Sequence, residues 1–431
     1  MTAKSEELPE VRSSGVPVNG TSLLLEWLLV AIAFLGVNIL SSFLQPPLTF
    51  LAGRGWELGT YFDVASKIRD GVALSGSAPA VFRIGVPWIV AHLPVSDLSR
   101  GFFYVNLVAS ALTASLLVLL LRHFLSSWKI RVAILVFYFI HWLGPTRFIY
   151  YTSGGVDAPG LLFLLAGLLL IERFRRGHRG LLDLAMLSMV VIVGVTIRET
   201  TLAIPIVFAF VAIDRREPFG RDSLVALIPL FLGGVAFALV RTSVTQVDHY
   251  NFLGAALNWF YSKPLPTYIL GWFITFGPVL VLPMISLKIV KRFATEQTHL
   301  LIYIILFTLL AYIGGSDTER ILFWSMPAML VLFGMWFEHT ERSVGMRVFI
   351  GVVLLLQLIS ERAFWNTPDL NYTVERSRIF LTSLSSTAYY LNLFSFHAPR
   401  AVSALMLIEY AVVTLALLIW GLALKSRQHS R

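Results

Sequence analysis

Four segments that break long apolar runs carry acids and arginines, and these are the residues of the chain that could do chemistry. The first reads Gly55-Trp56-Glu57-Leu58-Gly59-Thr60-Tyr61-Phe62-Asp63 and continues through Asp70 to Phe82-Arg83-Ile84-Gly85-Val86-Pro87-Trp88. The second is the turn Tyr150 to Asp157, the third is Arg198-Glu199, and the fourth is Gly314 to Arg320, which contains Asp317. A carboxylate in such a place can act as a general base on a hydroxyl. An arginine can hold a phosphate with its planar fork of donors. Each residue also has a plainer reading. Glu57 suits the positive end of a helix, and Arg83 could snorkel to a headgroup. Asp157, with Pro159 behind it, resembles an N-cap, as does Asp317. Arg198 and Glu199 are adjacent, so on a helix they cannot face each other and each needs another partner.

The elements that must position these groups are apolar helices. The chain is 57% hydrophobic and only 14% charged over 431 residues, against about 25% charged in ordinary soluble domains. Mean hydropathy is +0.76. Apolar stretches can be marked at 23–43, 100–121, 130–143, 157–172, 181–197, 201–213, 223–240, 266–287, 299–313, 320–337, 347–360 and 402–424. Runs of roughly 17–25 apolar residues cross the hydrocarbon core as helices. The pattern predicts an all-α, polytopic transmembrane helix bundle of about 11–13 spans. Segment 84–94, broken by Pro87 and ended by Pro94, reads as a half-embedded or re-entrant helix. Leu58 to Arg69 can form an amphipathic, interfacial helix with Tyr61, Val64, Ala65 and Ile68 on one face.

With the N-terminus inside, more than half of the 34 basic residues fall in alternate connections, including Arg173, Arg175, Arg176, Arg179 and Lys288, Lys291, Arg292. This follows the positive-inside rule. It predicts a cytoplasmic tail at 1–22, a transmembrane domain at 23–424 and a cytoplasmic tail at 425–431. A first outer loop at 45–85 and a last outer loop at 361–401 follow from the same map. The four charged segments then share one level, on the non-cytoplasmic side.

The net charge of +9 marks loops rather than a nucleic-acid surface, since no basic patch is interleaved with stacking aromatics. The chain has no cysteine, which excludes disulfides and thiolate chemistry. His92, His123, His141, His249 and His397 are scattered without metal-ligand spacing. No nucleotide-binding loop and no GxSxG elbow is present.

The run from Glu57 through Tyr61 and Ala65 to Gly71, followed by Phe82-Arg83 and Pro87-Trp88, resembles the GT-C superfamily of membrane glycosyltransferases. Aminoarabinose transferases and protein O-mannosyltransferases are members of that superfamily. Arg198-Glu199 is similar to a basic–acidic pair in its bacterial members, and Asp317 with Arg320 resembles their late outer turn. The matching motifs occupy about a tenth of the chain. One departure is Trp56-Glu57 where the family usually has Asp, often as Asp-Glu, which leaves open whether Glu57 or Asp63 carries the chemistry. The resemblance implies transfer of a sugar from a polyprenyl-phosphate donor to a glycan, lipid or protein acceptor, on the outer face of a bacterial inner membrane. Glu57 or Asp63 would be the base. Arg83, Arg198, Glu199 and Arg320 would hold the donor, with Asp157, Asp317 and Tyr61 supporting. No cofactor is required by anything legible, and although the resemblance leaves room for a divalent metal, no clear ligand cluster is present. Membrane lipids are the other expected partners; nucleic acid is not. A secondary transporter or lipid flippase would also explain the spans and the buried charges, but it predicts symmetric halves and charges near the bilayer midplane. A membrane acyltransferase lacks its expected histidine motif.

Overall fold

A computed structural model describes residues 20–45, 47, 50–55, 57–213, 220–315, 318–340, 343–361 and 400–429. Asp317, most of the last outer loop and the tail before residue 20 lie outside the described residues. The chain is an all-α helix bundle whose only described sheet is a two-residue pairing. Among the described residues six helices are long and apolar enough to cross a membrane: Leu23–Leu44, Leu98–Phe124, Trp128–Tyr151, Ser223–Ser243, Leu265–Ile285 and Leu407–Arg427. The pair Leu287–Glu296 and Thr298–Ile313, bent by 102°, makes a seventh when counted as one span. Shorter apolar helices occupy Leu181–Ile197, Glu199–Ala212 and Val344–Ser360.

The twelve apolar stretches therefore divide differently from the sequence map. Stretch 320–337 is split into Thr318–Phe323 and Met326–His339, the second opening with Pro327 in its first turn. Stretch 130–143 continues past a break into Pro145–Tyr151. Two helices were not legible as such. Leu287–Glu296 is strongly amphipathic and buries Ile289 and Phe293, while Phe252–Ser262 has no buried residue at all. Apolar side chains of the long helices meet in one core that runs from Val30 through Leu121, Leu168 and Phe307 to Leu417.

The segment that follows the first long helix forms a helix where its pattern predicts one. The helix spans Glu57–Arg69 and buries Leu58, Tyr61, Phe62, Val64 and Ala65. Phe62 packs on Phe102 with ring centroids 4.9 Å apart. The helix stops at Gly71, whose φ of +66° is costly for a residue with a Cβ. The Val72 amide donates back to the Lys67 carbonyl at 2.9 Å and that of Gly71 to Ile68 at 3.3 Å, closing the helix in the manner of a Schellman cap. Segment 84–94 forms the short helix Gly85–His92. Ser75 and Gly76 pair in parallel with Thr245 and Gln246, and the Ala78 amide donates to the Asp248 carboxylate at 3.1 Å. A small apolar cluster of Val64, Val81 and Val244 underlies this contact. The segment is thereby stapled to the chain that leaves helix Ile228–Ser243.

Charges sort to the two ends of the bundle. At one end Glu26 accepts from Arg131 Nε and Nη2, both at 2.6 Å, and from Arg122 Nη1 at 3.1 Å. Near the same end Glu172 pairs with Arg175 and Arg176. Glu57, Arg83, Asp157, Arg198 and Arg320 gather at the other.

Candidate functional site

Glu57 is the first residue of its helix, and Tyr61 lies one turn later on the same face. The Tyr61 hydroxyl donates to Glu57 Oε2 at 3.0 Å. Arg83 sits in the short link between Ala80–Phe82 and Gly85–His92 and is 4% exposed. Its Nη1 donates to Glu57 Oε2 and to the Tyr61 oxygen, each at 2.7 Å. The rest of its fork grips Glu199, Nε to Oε2 at 2.9 Å and Nη2 to Oε1 at 2.6 Å. Burial resists ionisation of Glu57, but the guanidiniums of Arg83, Arg198 and Arg320 outweigh it and hold the carboxyl down at about 2. Burial pushes the Tyr61 phenol above its ordinary range, so it remains a neutral donor.

Arg198 ends helix Leu181–Ile197 in an extended conformation, φ −157° and ψ 129°. Extended backbone sends successive side chains to opposite sides. Glu199 therefore reaches Arg83, while Arg198 reaches Asp157 and donates to its Oδ1. Arg320 Nη2 donates to Asp157 Oδ2 at 3.1 Å. Asp157 is the first residue of its helix, the cap position being Val156 with no side-chain capping bond. Its carboxylate serves the two arginines rather than the helix end, which replaces the capping reading. The Arg198 guanidinium lies over the Trp324 ring, 4.5 Å from the centroid.

Glu57, Tyr61, Arg83, Asp157, Arg198, Glu199 and Arg320 line one cavity of about 970 Å³, the size of a small-molecule site. Its charged lining comprises Glu57, Asp157 and Glu199 with Arg83, Arg198, Arg241 and Arg320. Four arginines against three carboxylates leave a positive surplus among the described residues. The remaining wall is largely apolar and includes Leu202, Ile206, Phe237, Trp259, Leu306, Phe307 and Leu310. The chamber is thus amphipathic, with ionic groups beside an aliphatic and aromatic surface. Glu57, Asp157 and Glu199 are each committed to arginine, and among the described residues no carboxylate–histidine group is arranged to hold a metal ion.

Asp63 is exposed and does not line the cavity, because six residues along a helix place it about 120° around the axis from Glu57. Asp317 lies outside the described residues. Arg241 was missed. It follows the apolar run 223–240 directly and looks like an ordinary end-of-span cation; its signal was its position at the same end as the other three arginines.

Comparison with protein-family models and with curated proteins gave no match.

Proposed function

We propose that the chain is a membrane glycosyltransferase that moves a sugar from a polyprenyl-phosphate donor to an acceptor hydroxyl, working at the outer, periplasmic face of a bacterial inner membrane. The observation that carries this reading is a single cavity in which an ionised carboxylate, a surplus of guanidinium and an apolar wall stand together. A lipid-linked sugar phosphate needs all three: a base for the acceptor, cations for the leaving group, and a surface for the prenyl chain.

In this scheme the acceptor oxygen attacks the anomeric carbon and its proton passes to Glu57. The bond between that carbon and the phosphate oxygen breaks. Its electron pair stays on the phosphate, which departs as polyprenyl phosphate held by Arg83, Arg198 and Arg320. The configuration inverts. A carboxyl held at about 2 is a weak base while the arginines stay paired with it. Donor phosphate would draw the same arginines to itself and release the carboxyl toward its ordinary range, so that binding the donor arms the base. Tyr61 and Arg83 would keep Glu57 aimed throughout.

The test is E57Q in proteoliposomes supplied with a polyprenyl-phosphate sugar and an acceptor. Transfer should fall about 10²-fold or more, as for loss of a general base, while donor binding persists. Full transfer by this variant would sink the assignment, and labelled lipid crossing the bilayer without any new glycoside would favour a flippase.

A further inference from the structure

Three of the four cavity arginines have carboxylate partners: Arg83 with Glu57 and Glu199, and Arg198 and Arg320 with Asp157. Arg241 has no carboxylate or hydrogen-bond partner among the described residues. Its guanidinium is instead clasped by two aromatic rings, 4.7 Å from the Phe82 centroid and 4.4 Å from that of Phe237. Its Nε is buried without a hydrogen-bond partner. Ring faces attract a cation but carry no net charge. The clasp therefore orients the fork and restricts its rotamers while leaving its full charge unneutralised.

We infer that Arg241 is the anion anchor of the cavity, the residue that captures the phosphate headgroup of an incoming polyprenyl-phosphate lipid. The inference rests on the glycosyltransferase reading for the identity of that lipid. A phosphate approaching Arg83, Arg198 or Arg320 must displace a carboxylate already bonded there, whereas at Arg241 it displaces none. The neighbouring wall suits the rest of the molecule: Phe237, Phe252 and Trp259 continue the lining from the clasp along an apolar surface. The anchor's position is also fixed independently of the catalytic cluster. Helix Ile228–Ser243, which carries Arg241, is stapled to the first outer segment by the pairing of Ser75 and Gly76 with Thr245 and Gln246. That staple sets Phe82 against the guanidinium. Capture and chemistry then belong to different arginines. Arg241 governs affinity for the donor, and the Arg83 cluster governs the step that follows.

The experiment titrates the full chain in nanodiscs of zwitterionic lipid with polyprenyl phosphate, with uncharged polyprenol and with inorganic phosphate. R241Q should bind polyprenyl phosphate about tenfold or more weakly, the usual scale for a lost hydrogen bond to a charged group, with polyprenol affinity unchanged. In turnover assays it should raise KM for the donor and leave kcat nearly intact, and R241K should recover part of the loss. Should Gln at this position unfold the protein, F237L keeps the charge but opens the clasp and should weaken lipid binding severalfold. Wild-type affinity in R241Q, or in a folded F237L where R241Q does not fold, overturns the proposal. So does a loss confined to kcat. Inorganic phosphate competing as strongly as the lipid would assign the position to free phosphate and overturn lipid capture. The wild-type chain distinguishes the two readings: Arg241-dependent lipid binding without any sugar transfer by the unmutated protein would refute the enzyme and leave the anchor standing.

Discussion

Arg83 and Glu199 are joined by two parallel hydrogen bonds of 2.9 and 2.6 Å across 116 residues of sequence. This bidentate grip fixes the plane of a guanidinium whose remaining Nη1 reaches Glu57 and Tyr61. Glu199 therefore positions the Glu57 carboxylate by holding the cation that pairs with it.

The pH behaviour follows from the sign of the shift at Glu57. Its carboxyl lies at about 2 in the folded protein, below its ordinary 4.5. The ionised form is thus favoured by folding. Its contribution to stability is fully present above 4.5 and is lost as pH falls through the interval down to about 2. On the free protein, kcat/KM should stay flat from neutrality to below pH 5. With donor bound and the arginines drawn to its phosphate, the acid limb of kcat should stand at higher pH than that of kcat/KM. R83Q should move both limbs upward. Profiles with coincident limbs would count against donor-armed basicity.

Gly160 offers a test of the Arg198 clasp. A Cβ at this position would stand 2.7 Å from Trp324 Cη2 and 3.0 Å from Cζ3, closer than packed carbons allow. G160A should push the ring from beneath the Arg198 guanidinium. Overpacking of this kind costs about 1–3 kcal/mol, and the lost ring contact about 0.5–2 kcal/mol more. A fall in Tm together with a severalfold fall in kcat is expected. A variant with both quantities unchanged would show that the tryptophan is not fixed by this contact.

The cluster at the opposite end should separate stability from function. Glu26 is 1% exposed and is the carboxylate for both Arg131 and Arg122. E26Q leaves two guanidiniums without their counter-charge, a change that typically destabilises by about 3–5 kcal/mol. Thermal unfolding in detergent should report that loss, while the folded fraction keeps its donor affinity. An equal loss of affinity would mean that the two ends are coupled.

Much of the cavity was legible in the sequence because charge at membrane depth demands a partner. Glu57, Tyr61, Arg83, Asp157, Arg198, Glu199 and Arg320 stood out as ionic or polar groups beside apolar runs, and one chamber collects them. What pairs with what was not legible. Arg198 and Glu199 part company through an extended backbone at a helix end, which no periodicity announces. Asp63 looked equivalent to Glu57 by type and neighbourhood, and only helical phase separates them. Arg241 depended on a staple of two residues per strand, too short to leave an alternating pattern. Glu26 sits early in an unbroken apolar run with partners 96 and 105 residues away. The division of apolar sequence into helices was similarly obscured, since the break between Trp128–Ile140 and Pro145–Tyr151 falls within residues that remain largely apolar.

The bend of 102° between Leu287–Glu296 and Thr298–Ile313 has a mechanical consequence. The basic amphipathic segment Leu287–Glu296 is shaped to float flat in a headgroup layer, and Thr298–Ile313 rises from it like a mast of 16 residues, roughly 24 Å tall. The hydrocarbon slab is typically about 30 Å thick. In a slab of that thickness a float and mast of this height would set the vertical register of the bundle and bring the far headgroup layer toward Gly314 and Gly315, which line the chamber.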